Sequence, residues 1–250
     1  MNKQLLDFFN EVEHKHWWWE GRRQILRQAL KSAPNLKILD IGCGTGETMT
    51  FLRSHIPGCV LYGVDVSADA IEYAKNRGHK NIELAGAEKL PFPDNYFDYV
   101  LLLDVIEHIE DDVSVLVEAR RVLKPNGKVI ITTPSLQFIW SEHDTAQGHF
   151  RRYSKSQIHK IAEGSKLKVD KIGHFNFFLS PPIIFVRLLS KFKPFQKLGK
   201  YDSKLNFNIV HNTLINNILK FIFVNEIKLM ELLIYPFGIS IFAALQKLEV

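Results

Sequence analysis

A glycine-rich segment carries the strongest chemical signal in the 250-residue sequence. Asp40 is followed by glycines at positions 42, 44 and 46 and then by Glu47. Glycine lets a backbone turn tightly and approach a ligand, and the N-terminus of a following helix offers unpaired N–H groups. A dinucleotide-binding loop needs a glycine where Glu47 stands, so the spacing disfavours a nicotinamide cofactor. The flanking carboxylates instead suit a positively charged ligand.

A further carboxylate ends the second predicted strand. Asp65 lies 19 residues after Gly46. At this place in open α/β sheets, a carboxylate can accept hydrogen bonds from both hydroxyls of a ribose. The loop and Asp65 together predict a ligand that contains a nucleoside and carries ammonium and sulfonium charges.

On these residues the sequence resembles the class I S-adenosylmethionine-dependent methyltransferases. The resemblance continues through residues 87–98, 104–109 and 123–128, and it covers about residues 36–175. It implies S-adenosylmethionine as the cofactor. It also implies a doubly wound, mostly parallel seven-stranded sheet of the Rossmann-like α/β type, with the last strand antiparallel.

The resemblance implies cofactor contacts for individual positions. Asp65 holds the ribose, and Val66 packs on the adenine. Ala87 and Glu88 lie by the adenine amino edge, although Gly86 stands where relatives often carry Asp. The cofactor-binding residues implied at the methionine end are Asp40, Gly42, Cys43, Gly44, Gly46 and Asp104.

Three adjacent tryptophans, followed by Arg22 and a second arginine, form the next unusual string at residues 16–23. Neighbouring residues of a helix point about 100° apart, so the three indoles cannot all face one core. With His143-Asp144 and residues 149–153, this string resembles a subgroup of small-molecule methyltransferases, type 11 or type 23-like, associated with polysaccharide or lipid-linked pathways. The resemblance implies an N-terminal helical lid in which Arg22 pairs with the cofactor carboxylate. The alternative is a packing helix with surface arginines.

Two histidines, two arginines and a tyrosine lie within residues 143–153, after the fifth predicted strand. Methyl transfer needs an aligned acceptor, and an oxygen acceptor must also lose a proton. We therefore predict His149 or His143 as the general base. The predicted substrate-binding residues are Arg151, Arg152, Tyr153 and His108. The alternative is a salt-bridge cluster, for example Asp144 with Arg151, that only fixes the loop.

Short β-rich runs alternate with helical patterns from Leu36 onward, which predicts a sheet covered by helices on both faces. The predicted strands are residues 37–41, 60–64, 81–84, 99–103, 128–132, 167–172 and 239–245. The predicted helices of the core are residues 45–55, 68–77, 112–123 and 156–163. We expect four parts: a helical lid at 1–35, a cofactor-binding core at 36–174, a helical insertion at 175–235 and the last strand of the core at 236–250.

The last third of the chain differs from the rest in net charge and in amino-acid composition. Residues 174–250 hold nine basic and four acidic residues, whereas residues 1–173 hold 23 of each, so the net charge of +5 lies in the last third. Phenylalanine, isoleucine and leucine alternate with lysines in residues 175–235. This mixture fits a surface that contacts a bilayer and receives a lipid-linked acceptor. The alternative is that these side chains cap the sheet and wall the active site.

Targeting and metal signals are absent from the sequence. The N-terminus shows no signal peptide, and the apolar stretch at 232–245 is shorter than the about 20 residues that a membrane-spanning helix needs. Cys43 and Cys59 are too few for a disulfide-stapled secreted fold. The acids and histidines show no compact ligand spacing, so no metal ion is expected. These features predict a cytoplasmic protein.

The sequence therefore predicts methyl transfer from S-adenosylmethionine to oxygen, or with less support nitrogen, of a small-molecule or lipid- or saccharide-linked acceptor. The alternative is a catalytically silent protein that binds the cofactor as a scaffold or regulator. Nucleic acid is not an expected partner. Residues 104–107 lack the Asp/Asn-Pro-Pro-aromatic motif of amino-methylating DNA enzymes, and the core has no compact basic patch.

Overall fold

A computed structural model describes residues 3–192, 194–195, 211–230 and 232–249. Its seven strands are β1 (Lys37–Ile41), β2 (Val60–Asp65), β3 (Ile82–Leu84), β4 (Phe97–Leu103), β5 (Leu123–Pro134), β6 (Lys168–Phe175) and β7 (Ser240–Gln246). They form one sheet in the order β3-β2-β1-β4-β5-β7-β6. β7 runs antiparallel to both of its neighbours, and the pairings among β1 to β5 are parallel.

The helices of the described segments are α1 (Lys3–Val12), α2 (Trp17–Ala29), α3 (Glu47–His55), α4 (Ala68–Asn76), α5 (Asp112–Val122), α6 (Glu142–Ala146), α7 (Lys155–Gly164), α8 (Ser180–Leu189) and α9 (Thr213–Leu229). Short 3₁₀ turns lie at Ile106–His108 and Gln137–Ile139. Among the residues with described positions, no helix is long and apolar enough to span a bilayer.

Two hydrophobic cores lie on opposite faces of the sheet. Residues of α5 and α7, such as Val115 and Ile158, pack with alternate residues of the central strands in one core. Residues of α2, α3, α4 and α9, such as Met49 and Phe223, form the other. The inner strands are therefore buried on both sides, which explains their nearly continuous apolar sequences.

The predicted doubly wound sheet with an antiparallel last strand is confirmed. The largest difference in a strand is at β5, which begins at Leu123 rather than at residue 128. Leu123 pairs with Phe97 before the chain turns at Asn126, where φ is +64°. Sequence patterning missed this extension because the turn residues 124–127 interrupt the apolar run.

The tryptophan string lies at the start of α2 and divides between two neighbours. The Trp18 ring stacks on Phe223 of α9, with ring centroids 5.3 Å apart. The Trp19 ring instead meets Phe9 of α1 edge-on at 5.0 Å. A Cβ at Gly21 would overlap the Phe223 ring, so this glycine allows α2 and α9 to pack closely. The N-terminal helices are thus attached to the helices that precede β7.

Residues 175–235 supply α8 and α9 between β6 and β7, although β6 itself extends to Phe175. Residues 193, 196–210 and 231 of this segment lie outside the described residues. Glu226 of α9 is fully buried, and its carboxylate accepts hydrogen bonds from the N–H groups of Phe177 and Phe178 at 2.8 and 2.9 Å. This contact fixes α9 against the start of α8. The four-part division of the chain stays a prediction.

Candidate active site

The glycine loop connects β1 to α3 at the carboxyl edge of the sheet. Gly42, Gly44 and Gly46 have φ values of +70°, +53° and +84°, in the left-handed region that favours glycine. The N–H groups of Gly42 and Cys43 donate to the Val64 carbonyl at 2.8 and 3.0 Å, which ties the loop to the end of β2. A Cβ at Gly44 would meet no heavy atom within 4 Å, so this part of the loop faces open space.

Asp65 and Val66 lie beside that open space. The Asp65 carboxylate accepts one hydrogen bond from the Gly44 N–H and one from the Ser67 N–H, both at 2.9 Å. Each carboxylate oxygen keeps a lone pair for a further donor. Val66 is 76% exposed, which is unusual for an apolar side chain next to a buried strand. The Asp65 carboxylate could accept hydrogen bonds from a ribose, and the exposed Val66 side chain could pack against a flat ring.

Asp40 ends up almost fully buried beneath the loop. Burial raises the pKa of Asp40 to about 7, and the nearby positive charge of Arg22 opposes this rise. Arg22 reaches over from α2 and donates to the Asp104 carboxylate at 2.7 Å and to the Leu103 carbonyl at 3.1 Å. Asp104 itself has a left-handed φ of +57°. The N-terminal helix therefore contacts the predicted methionine end, and Arg22 is already paired there with a protein carboxylate.

The predicted adenine edge lies in the turn after β3. Ala87 is buried and Glu88 is exposed. A Cβ at Gly86 would lie 3.0 Å from Glu88 Oε2, so the glutamate folds back over the position where relatives often carry Asp. The structure thus places a carboxylate near this position through Glu88.

One group that supports the loop, His79, was missed by sequence reasoning, and the flanking carboxylate Glu47 is bound by the protein rather than free for a ligand. His79, 3% exposed, lies under Gly46 with its Nε2 3.0 Å from the Gly46 carbonyl oxygen, while its Nδ1 lies 2.7 Å from Arg53. Burial and the Arg53 charge lower the pKa of His79. Glu47 forms an ion pair with Arg77, so its charge is engaged by the protein. Nothing in the local sequence indicates that His79 and Arg77 contact the glycine loop. They reach it because the end of α4 lies next to the start of α3.

The acceptor side is organised around a buried carboxylate. Asp144 is fully buried and accepts from Arg152 at 2.6 Å and from Arg187 of α8 at 2.7 Å. Burial alone would raise its pKa, but hydrogen bonds and the two guanidinium charges hold the pKa of Asp144 well below its usual range. His149 Nδ1 also lies 3.3 Å from Asp144 Oδ1. One anion therefore joins the segment after β5 to α8.

The neighbouring arginine and tyrosine make a second cluster. Arg151 pairs with Asp112 at 2.7 Å, and the Tyr153 hydroxyl donates to the same carboxylate at 2.6 Å. Arg152 and Tyr153 are only 4% and 2% exposed. The sequence suggests a salt-bridge cluster of Asp144 with Arg151 as the alternative to substrate binding. The structure has such a cluster, but Asp144 pairs with Arg152, and Arg151 pairs with Asp112. Their predicted part in substrate binding stays a prediction.

Three histidines were predicted on this side, and two of them meet. The His108 and His149 rings are edge-on with centroids 4.7 Å apart. One ligand-type atom from each of Glu107, His108 and His149 lies within 4.8 Å of the other two. His143 is placed on α6 outside this group, and burial lowers its pKa to about 4. The structure therefore assembles His108 and His149, with Glu107 as a neighbour that the sequence did not single out.

Comparison with known proteins gives one family match. The methyltransferase domain family matches residues 39–131, which include the glycine loop, Asp65 and Asp104. An uncharacterised protein of Methanocaldococcus jannaschii is 32% identical over 155 residues, covering 59% of this chain and 58% of that protein.

A second curated relative has a named activity. The ubiquinone/menaquinone biosynthesis C-methyltransferase UbiE of Geotalea daltonii is 33% identical over 132 residues, covering 48% of this chain and 55% of that protein. The chain thus spans a little over half the length of these two curated relatives.

Among solved structures, phosphoethanolamine N-methyltransferase 2 of Haemonchus contortus, in complex with S-adenosyl-L-methionine, has a TM-score of 0.62 at 22% identity. The match covers 92% of this chain and 53% of that protein. At this level of identity the match shows a shared fold.

Proposed function

We propose that this chain, which carries a class I S-adenosylmethionine-dependent methyltransferase domain, transfers a methyl group to a hydroxyl-bearing acceptor that is small or linked to a lipid or saccharide. The family match to a methyltransferase domain over residues 39–131 confirms the domain expected from the sequence, and the similar structure solved with S-adenosyl-L-methionine supports that cofactor. The observation that carries the proposal is the open face of the loop at Gly44, with Asp65 and the exposed Val66 beside it.

The residues at the loop fit the parts of this cofactor. Asp65 can accept from the ribose hydroxyls, and Val66 can pack on the adenine. Asp40 and Asp104 are the carboxyl groups at the predicted methionine end, and Arg22 lies there too, paired with Asp104. When bound, S-adenosylmethionine supplies an electrophilic methyl group. The chain's own task is then to align the acceptor and remove its proton.

The acceptor would lie near His108 and His149, at the carboxyl edge of the sheet beyond Asp104. A histidine there can take the proton of an acceptor hydroxyl near neutral pH. We assign this role to His149 rather than to His143, whose lowered pKa of about 4 makes it a weak base. Arg151, Arg152 and Tyr153 are engaged by Asp112 and Asp144, so we assign them to holding the loop.

The atom that receives the methyl group is either the hydroxyl oxygen or a carbon next to it. Removing the hydroxyl proton makes the oxygen nucleophilic, and in an aromatic ring it also makes the adjacent carbon nucleophilic. The relative named as a C-methyltransferase supports carbon. The sequence prediction of oxygen is kept as the first candidate, and the product of the reaction distinguishes the two.

An apolar surface next to the start of α8 supports a lipid-linked acceptor and peripheral contact with a membrane. Leu232 and Ile234 are 82% and 90% exposed, and the half-exposed Phe178 contacts Tyr235 of the same segment, with ring centroids 5.9 Å apart. Exposed lysines, including Lys191 and Lys228, accompany this apolar set. Clustered apolar side chains with basic neighbours bind the interface of anionic bilayers.

The cofactor site is tested by calorimetric titration with S-adenosylhomocysteine. We expect Asp65→Ala to weaken binding at least tenfold, because the ribose hydroxyls lose their acceptor. The matched control is Asp69→Ala, which removes an exposed carboxylate on α4 that pairs with Lys3 at 3.8 Å. Failure of the folded native protein to bind S-adenosylhomocysteine would contradict the proposal.

The reaction is tested with methyl-labelled S-adenosylmethionine and matched acceptors with a free or a blocked hydroxyl. We expect label in the free-hydroxyl acceptors only, and a loss of turnover in His149→Ala without loss of cofactor binding. Product analysis assigns the label to oxygen or carbon. Cofactor binding with no labelled product from any acceptor would instead favour the scaffold alternative.

Membrane contact is tested with anionic phospholipid vesicles at low salt. We expect the native chain to bind and the double variant Leu232→Ser/Ile234→Ser to bind at least fivefold more weakly. Val117→Ser, at an exposed apolar residue of α5, is the control. Equal binding by all three chains, or none by the native chain, would rule out this surface.

A further inference from the structure

Three side chains with metal-ligand chemistry meet at the carboxyl edge of the sheet. Glu107 and His108 lie in the 3₁₀ turn after β4, and His149 lies after α6, 41 residues further along the chain. One ligand-type atom from each lies within 4.8 Å of the other two. The Phe150 N–H donates to the Glu107 carbonyl at 2.7 Å, which fixes the segment carrying His149 against the turn.

Glu107 is the unusual member of this cluster. It is only 1% exposed, and its Oε2 accepts a hydrogen bond from Thr133 Oγ1 at 3.0 Å. Its other oxygen, Oε1, is buried without a hydrogen-bond partner. A buried carboxylate oxygen with no partner is costly, and such groups are normally paired or bind a cation. A buried carboxyl group with an unpartnered oxygen, next to two histidines, is a candidate ligand for a cation.

We propose that Glu107, His108 and His149 bind a divalent transition-metal ion such as Zn²⁺. Two imidazoles and one carboxylate form a common set of three protein ligands in metal sites that keep a position open for water or substrate. Around such an ion, ligand atoms lie about 3.4 Å apart. The ligand atoms now lie within 4.8 Å of one another, so each pair must close by no more than about 1.4 Å to reach that spacing.

The surroundings of His149 support the assignment. Its Nδ1 lies 3.3 Å from the Asp144 carboxylate, at ion-pair distance but without hydrogen-bond geometry. A metal-bound histidine typically directs its second ring nitrogen at a carboxylate, which fixes the ring and leaves Nε2 for the metal. Asp144 is itself held by Arg152 and Arg187, so the ring would be supported by a rigid anion.

The position of the site suggests its use. The cluster begins three residues after Asp104, and the His108 side chain is exposed, so the site opens toward the side expected for the acceptor. With His149 bound to the ion, the ion rather than a free His149 would activate the acceptor, because a bound metal ion can hold an acceptor oxygen and lower the pKa of its hydroxyl. This use rests on the proposed methyl transfer, whereas binding of the metal ion does not.

The test uses the full chain after treatment with a chelator. We expect calorimetry to show one tightly bound Zn²⁺ per chain, and Co²⁺ to give the visible absorption bands of a four- or five-coordinate site. Glu107→Gln and His108→Ala should each weaken Zn²⁺ binding at least tenfold and abolish the Co²⁺ bands. His159→Ala, at an exposed histidine of α7, is the control that should bind as the native chain does.

Two results would overturn the metal site. One is no Zn²⁺ binding by the folded native chain, and the other is equal binding by the native chain and the Glu107→Gln and His108→Ala variants, which would indicate an adventitious ion only. Thermal unfolding establishes that each variant is folded, and His108→Ala removes an exposed side chain with little risk to the fold. Titration with S-adenosylhomocysteine separates this outcome from the cofactor proposal, since either ligand can bind when the other fails.

Discussion

The proposed cofactor half of the sheet edge (residues 40–66) and the proposed acceptor half (residues 104–153 with α8) are built by different means. In the cofactor half, the loop after β1 combines its glycines within five residues, and Asp65 lies at the end of the adjacent strand. In the acceptor half, Asp144 pairs with Arg187 from α8, and Glu107 meets His149 from 42 residues away. One half is a local motif, and the other is an assembly of distant side chains.

This difference determines what each half tolerates. The cofactor loop depends on backbone conformation, because its left-handed glycines and open space cannot be supplied by other residues. The acceptor half depends on buried charges that compensate one another, such as Asp144 with Arg152. Substitutions should therefore weaken ligand binding most clearly in the cofactor half and lower stability most in the acceptor half.

The largest expected effect is on the stability of the acceptor half. Asp144→Asn should lower the free energy of unfolding by about 3–5 kcal/mol, because it leaves the buried charges of Arg152 and Arg187 without an anion. Urea unfolding measures the loss. Asp94→Asn, at a carboxylate whose side chain is 68% exposed and paired with Arg121, should cost no more than ~1 kcal/mol. Equal losses would remove the distinction between a buried and a surface ion pair.

Asp40 links stability to pH in the cofactor half. Because burial raises its folded-state pKa to about 7, the native state keeps a proton that the unfolded state releases at lower pH. Stability should therefore fall as the pH rises from about 4 to about 7, by up to ~4 kcal/mol, and change little from this group at higher pH. Asp40→Asn should flatten the profile while weakening cofactor binding. Parallel stability profiles for the two chains would contradict the prediction.

The contact between the N-terminal helices and α9 can be loosened at one residue. Gly21→Ala places a methyl group against the Phe223 ring, and such overpacking typically costs about 1–3 kcal/mol. Gly173→Ala is the control, because no heavy atom lies within 4 Å of its Cβ position, and we expect a change below ~1 kcal/mol. Thermal unfolding of the two variants should differ clearly. Equal midpoints would show that α2 and α9 adjust without strain.

Substitution of Gly44 should have the smallest effect on stability and the clearest effect on binding of S-adenosylhomocysteine. Gly44 and Gly58 both have left-handed φ values, +53° and +80°, and open space at the Cβ position. Either change to Ala should cost about 1–2 kcal/mol through backbone strain. Only Gly44→Ala should weaken S-adenosylhomocysteine binding, by at least tenfold in calorimetry. Equal affinities for the two variants would show that Gly44 does not approach the ligand.

Sequence reasoning recovered the parts of the fold that local patterns specify. Buried strands read as apolar runs, and all seven predicted strands are present, with β5 extended to Leu123 beyond its predicted start. The loop and Asp65 were identified because a strand, a glycine turn and a helix follow one another directly, whereas Val66 was implied by the resemblance to methyltransferases. Support by His79 could not be predicted, because nothing near that residue indicates that it packs under Gly46.

The amino-acid sequence by itself determined the glycine loop and the sheet that carries it. Backbone preferences and the periodicity of buried residues depend on residues close together in the sequence. Tertiary structure alone decided which charged side chains meet. The sequence suggested an ion pair of Asp144 with Arg151. In the fold, Asp144 instead pairs with Arg152 of the same segment and with Arg187 of α8. The cluster of Glu107, His108 and His149 has the same origin, since the closeness of distant residues depends on how the helices and strands pack.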